Sequence, residues 1–161
     1  MKTGLRAACL AIGVGIGVLT PLVSAQTPPS SGHVFVSIKE HGNVTVKADA
    51  EFKAIKQVGN FGKRSVMMIR RDPGSSIPEV HRQLAHILVV KSGEGTLILG
   101  GELVGRHPEP GGSGGRENGT SIRNGKEYQV APGDTFYVPP ETPHQYVVQP
   151  GKQMTILTIN E

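Results

Sequence analysis

From residue 65 to its end the chain is cut into short apolar runs by glycine and proline, and this punctuation limits the fold more than any other feature. "SVMMIRR" stops at "DPG", "HILVVK" at "SGEG" and "TLIL" at "GG". "EYQV" stops at "APGD", "TFYV" at "PPETP" and "HQYVV" at "QPGK", and "MTILTI" closes the chain. Seven short runs of this kind predict strands, and a succession of them predicts an all-β antiparallel barrel or jelly roll. No internal repeat appears, so one barrel is expected over residues 65–161.

The segments ahead of the barrel read differently. Lys2 and Arg6 precede the apolar run "AACLAIGVGIGVL", and "VSA" offers small residues for cleavage after Ala25. Residues 1–25 therefore read as a signal peptide, with a periplasmic or secreted location as the expectation. A membrane anchor is the alternative, but the run is short for a bilayer and rich in glycine. Residues 26–64 form an arm: a flexible "QTPPSSG", strand candidates "HVFVS" and "VTV", and one short helix. That helix is expected over "DAEFKAIKQVG", where Phe52, Ile55 and Val58 fall at helical spacing between an Asp49 cap and a Gly59 stop. Within the barrel, residues 105–126 carry seven glycines and little apolar content. This segment reads as a structureless loop, either a surface insertion or a lid over the barrel mouth.

Charge and cysteine content exclude several classes. The 17 basic and 13 acidic residues give a formal +4, which becomes +2 once Lys2 and Arg6 leave with the leader. The bases are spread along the chain without a basic stripe or interleaved aromatics, so no nucleic-acid partner is expected. Nor is a membrane partner expected after leader removal. Cys9 is the only cysteine, so the mature chain has no disulfide, no thiol nucleophile and no sulfur ligand. There is no G-x-S-x-G elbow for a serine hydrolase and no phosphate-cradling glycine motif.

The chemistry concentrates in "IPEVHRQLAHILVVKSGEG" and "GDTFYVPPETPHQY". Glu79 and His81 are two apart, so on extended chain they face the same side. His86 opens the next strand and His144 opens another, far along the sequence. Three imidazoles and one carboxylate suit a divalent transition metal, Fe, Mn, Ni, Cu or Zn, and the lack of thiolates argues against a structural zinc knot. The bland alternative is a hydrogen-bonded polar cluster that grips an organic ligand directly. Tyr146, two beyond His144, is a candidate catalytic proton donor or a packing aromatic. Arg70 and Arg71 end a strand at the mouth. At most one of them points inward to a substrate carboxylate, and Arg70 is the candidate. Gln83, in the turn between His81 and His86, is a second candidate for substrate binding.

These two stretches resemble the paired signature motifs of the cupin superfamily. The first motif reads G-x5-H-x-H-x3,4-E-x6-G; here Gly74 precedes Glu79-x-His81-x4-His86-x6-Gly93. The second reads G-x5-P-x-G-x2-H-x3-N; here it is Gly133-x5-Pro139-x-Glu141-x2-His144. Glutamate and histidine exchange places in the first motif, so the ligand set is permuted while its composition stays three His and one Glu. Glu141 replaces a motif glycine, the motif asparagine is missing near Val148, and the spacing ahead of Glu79 is one residue short. The resemblance implies a cupin-type barrel, a metal held by Glu79, His81, His86 and His144, and a small-molecule ligand. It also implies a family of outcomes (oxygenation, isomerisation, decarboxylation or lyase chemistry) and pairing into a homodimer. A non-catalytic ligand-binding barrel and a structural barrel with a vestigial pocket are the competing readings.

Overall fold

The computed structural model describes residues 53–161 together with Asp49. The leader and the strand candidates "HVFVS" and "VTV" lie outside the described residues. All regular structure among the described residues is β, and each of the seven apolar runs forms a strand. One antiparallel sheet holds β1 (Lys53–Phe61), β2 (Arg64–Arg71), β14 (Met154–Asn160), β5 (His86–Gly93) and β12 (Thr135–Val138), in that spatial order. The other runs β11 (Lys126–Val130), β6 (Gly95–Leu99), β13 (His144–Val148), β4 (Glu79–His81), β9 (Arg116–Asn118) and β8 (His107–Pro108). Short β3 (Gly74–Ser75) adds to β13, and β7 (Glu102–Val104) pairs with β10 (Ser121–Arg123) in a separate ribbon.

Period-two burial sets the faces. In β14 every second residue from Met154 to Asn160 is buried, and β13 alternates likewise from His144 to Val148. The buried rows of the two sheets meet in one core that includes Leu88, Val90, Leu97, Val148, Met154 and Ile156. Each such side chain contributes about 1.5–3 kcal/mol by leaving water. The turn between β5 and β6 depends on Gly93: its φ is +74°, and a Cβ there would lie 1.7 Å from the carbonyl oxygen of Gln153. Only glycine fits that position.

Two expectations need correction. The helix expected over residues 49–59 does not form where the chain is described, because Lys53–Phe61 is a strand paired residue by residue with β2. Ile55 and Val58 do stand three apart, but Ala54 and Val58 pack with Met68 and Leu157 while Ile55 is exposed. Pairing with β2, with a bulge at Val58, overrides the weak helical period. Residues 105–126 are likewise not structureless. They contain β8, β9 and β10, and β9 pairs with the site strand β4: Glu79 opposite Asn118, Val80 opposite Glu117, His81 opposite Arg116. Ion pairs add to this pairing, with Glu117 held by Arg82 and Arg106, and Arg106 also held to Glu141 at 2.7 Å. The glycine-rich insertion is a wall of the barrel.

Candidate metal centre

Glu79, His81, His86 and His144 come from three strands that converge at one end of the barrel. β4 presents Glu79 and His81, β5 begins with His86, and β13 begins with His144, which lies opposite Glu79 in the ladder. All four are buried. The three imidazole rings stand 4.7, 5.7 and 5.3 Å apart, and one ligand atom from each lies within 4.8 Å of the others.

Hydrogen bonding decides which nitrogens face inward. His81 Nδ1 meets the carbonyl of Ser113 at 2.9 Å, His144 Nδ1 that of Thr142 at 3.1 Å, and His86 Nδ1 meets Asn160 Oδ1 at 2.7 Å. Carbonyl oxygens only accept, so each Nδ1 carries the proton and each Nε2 keeps its lone pair. Asn160 is itself anchored, its Nδ2 donating to Ser65 Oγ at 3.0 Å. His86 Nε2 is buried with no partner. His144 Nε2 faces Glu79 Oε1 at 3.4 Å, and two lone-pair atoms so placed call for a cation or a proton between them. Oxygen acceptors behind each imidazole and lone pairs turned toward one another are the arrangement a divalent ion requires.

Glu79 stands beside the histidine group. Its Oε2 is paired with Arg116 Nε at 2.5 Å, and Arg116 also reaches Glu109 at 2.9 Å and Asn118 Oδ1 at 3.1 Å. Burial works against ionisation of Glu79. His144 and Arg116 more than offset this and hold the carboxyl well below its usual range. Burial lowers the basicity of His81, against the opposing pull of the Ser113 carbonyl and Glu79. Burial, reinforced by His144, pushes His86 down to about 4. Those two imidazoles are therefore neutral at pH 7, the form that binds metal.

The histidines line a cavity of about 170 Å³ shared with Arg71, Tyr146, Thr158 and Asn160, and with apolar Met67, Ile69 and Leu88. Tyr146 is buried, its ring 6.3 Å from that of His144, and burial raises its phenol so that it stays protonated. Arg71 lies over the same ring, 4.6 Å from its centroid. The structure places Arg71, not Arg70, in the cavity: Arg70 points away and pairs with Asp72 at 3.0 and 3.1 Å. Parity is the reason, since Met67, Ile69 and Arg71 share the inward face of β2. Gln83 is exposed in the β4–β5 turn, where its backbone N–H donates to the Gly114 carbonyl at 2.9 Å, and it is not among the cavity-lining residues. Arg116, Ser113, Asn160 and Thr158 complete the site without having been singled out in the sequence. For Asn160 and Thr158 the signal was present, because alternation from Met154 turns both inward. For Arg116 and Ser113 there was none, because their placement depends on β9 pairing with β4.

A family model described as the AraC-like ligand binding domain matches residues 118–160, about a quarter of the chain. Comparison with curated proteins gives no match. Among solved structures, the chain is similar to the polyketide cyclase RemF from Streptomyces resistomycificus, with 18% identity and a TM-score of 0.53 over 80% of this chain and 78% of that one. FeII HppE is similar at 12% identity and a TM-score of 0.55, over 85% and 64%. A cupin-2 domain from Rhodospirillum rubrum is similar at 17% identity and a TM-score of 0.50, over 69% and 60%. At such identities the likeness is one of fold.

Proposed function

We propose that this chain, whose fold is that of the cupin superfamily, binds one divalent transition metal through His81, His86 and His144 and acts with it on a small oxygenated molecule. The supporting observation is the set of three Nδ1–H groups committed to oxygen acceptors, with three Nε2 lone pairs turned together and that of His86 buried without a partner. Glu79 is the fourth donor in this reading, with Oε2 kept by Arg116 and Oε1 turned to the ion. Two ligands at right angles, each about 2.1 Å from one ion, stand about 3 Å apart. The 3.4 Å between His144 Nε2 and Glu79 Oε1 fits that spacing.

A divalent ion bound there would supply a Lewis acid that polarises a bound oxygen and acidifies a bound water. Around it the chain's own groups divide the work. The apolar wall of Met67, Ile69 and Leu88 keeps the cavity's dielectric low and its electrostatics strong. Protonated Tyr146 serves as a donor to a developing oxyanion. Arg116 holds Glu79 in one orientation. HppE, similar in fold, is known in an FeII form, so iron is the first ion to test among Fe, Mn, Ni, Cu and Zn. Export to the periplasm or beyond, from the leader-like residues 1–25, belongs to the same proposal.

A second reading is reversible ligand binding without turnover. The match of residues 118–160 to the AraC-like ligand binding domain favours it. Product formation from small carbonyl and enol compounds would separate the two. The test of the shared premise is metal analysis of protein purified without chelator. About one transition-metal ion per chain is expected, lost in the double variant His81→Ala/His144→Ala. Equal metal content in that variant would refute the site.

A further inference from the structure

Among the described residues, the buried side-chain nitrogen and oxygen atoms without a hydrogen-bond partner belong to Arg71 (Nε and Nη1), His86 (Nε2) and Thr158 (Oγ1). All three residues line the same cavity. Native interiors pair nearly every such atom, so a gathering of orphans in one place points to a missing ligand. The metal reading accounts for His86. It leaves Arg71 unexplained.

Arg71 is 4% exposed, and a guanidinium is a permanent cation with five donors. The neighbouring acids are engaged elsewhere, Asp72 with Arg70 at 3.0 Å and Glu79 with Arg116 at 2.5 Å. Its observed partner is the face of Tyr146, which offsets only part of the cost of burying a charge. The sheet register gives the layout. Arg71 lies opposite Met154 at one end of the inward row of β14, Thr158 lies further along, and Asn160, opposite His86, lies at the other end. The backbones of Arg71 and His86 thus stand at opposite ends of that row, while the guanidinium carbon lies 4.6 Å from the Tyr146 ring centre and that ring 6.3 Å from the ring of His144.

We propose that Arg71 is the specificity-determining residue of this cavity and that the ligand is a small organic carboxylate. Its carboxylate takes the guanidinium by a charge-assisted, two-pronged hydrogen bond. The chain of the ligand runs past Met67, Ile69 and the Thr158 hydroxyl, and its far oxygen reaches the histidine end. That last contact rests on the metal reading; the carboxylate contact does not.

Calorimetric titration with benzoate and its neutral isostere benzamide tests the assignment. The comparison uses the wild-type protein, Arg71→Met and the double variant His81→Ala/His144→Ala, with metal content measured in each. The wild type is expected to prefer benzoate by about tenfold to hundredfold. Arg71→Met should abolish the preference with metal content unchanged, whereas the histidine variant should keep it. Preference that survives Arg71→Met, equal binding of the two probes, or no benzoate binding to the wild type overturns the proposal. Preference lost only in the histidine variant puts the anion on the metal, which refutes the role of Arg71 and leaves the metal reading standing. A wild type without metal that keeps its Arg71-dependent preference refutes the metal reading alone. Melting temperature gives a readout independent of binding. Removing an unpaired buried charge should raise it in Arg71→Met by about 2–5 °C, and a comparable fall would show that Arg71 holds the fold and would overturn the assignment.

Discussion

Acid should weaken the metal-free protein through His86 before it reaches the carboxylates. His86 is buried, and its imidazole is pushed down to about 4 from an unfolded value of 6.5, by burial first and by His144 second. As the pH falls through 6.5 the unfolded chain takes up a proton that the folded chain refuses, so stability declines. The decline ends near pH 4, where the folded chain accepts the proton as well. Over that window the difference amounts to roughly 3 kcal/mol, at about 1.4 kcal/mol for each pH unit between the two values. The assay is urea unfolding of the metal-free protein at pH 7, 6, 5 and 4, for the wild type and for His86→Gln. His81 contributes in the same direction, so the difference between the two proteins isolates His86. The wild type should lose roughly 3 kcal/mol more than the variant across the window, and bound metal should deepen the loss, since protons and ion compete for the same imidazoles. Parallel pH profiles for the two proteins would refute the claim that His86 is held neutral by its surroundings.

Other consequences follow from single contacts. Asn160→Leu removes the acceptor of His86 Nδ1 and should weaken metal binding by about 10–100-fold in chelator competition, the usual effect of losing a group that orients a ligand. Arg116→Met leaves the buried carboxylate of Glu79 without its cation and should cost about 3 kcal/mol in urea unfolding. Adding Glu79→Gln to that variant should recover most of the loss. Gly93→Ala places a methyl against the Gln153 carbonyl at a left-handed position and should cost at least about 2 kcal/mol, read as a lowered melting temperature.

The barrel was legible because its strands alternate and its turns are rich in glycine and proline. "MTILTI" and "HQYVV" bury every second residue as such patterns require, and the same parity brings His144 and Tyr146 to the interior together. What escaped the sequence depends on pairing between distant segments. Phe52, Ile55 and Val58 suggest a helical period, but the nine residues of β1 are decided by a partner strand. "REN" carries no apolar alternation at all, so nothing local marks β9. Its pairing with β4 nevertheless delivers Arg116 to Glu79 and sets Ser113 behind His81. Gly114 permits this approach, with φ at +59° and the space of its missing Cβ filled by Leu84. Arg71 rather than Arg70 lines the cavity because it shares the parity of Met67 and Ile69 along β2.

X-ray absorption at the metal edge of the reconstituted protein tests the centre most directly. Three imidazole nitrogens are expected at about 2.0–2.1 Å, with the remaining scatterers being oxygen. One imidazole should disappear in each of His81→Ala, His86→Ala and His144→Ala. An ion with fewer than three imidazoles in the wild type, or one whose surroundings are unchanged in all three variants, would contradict it.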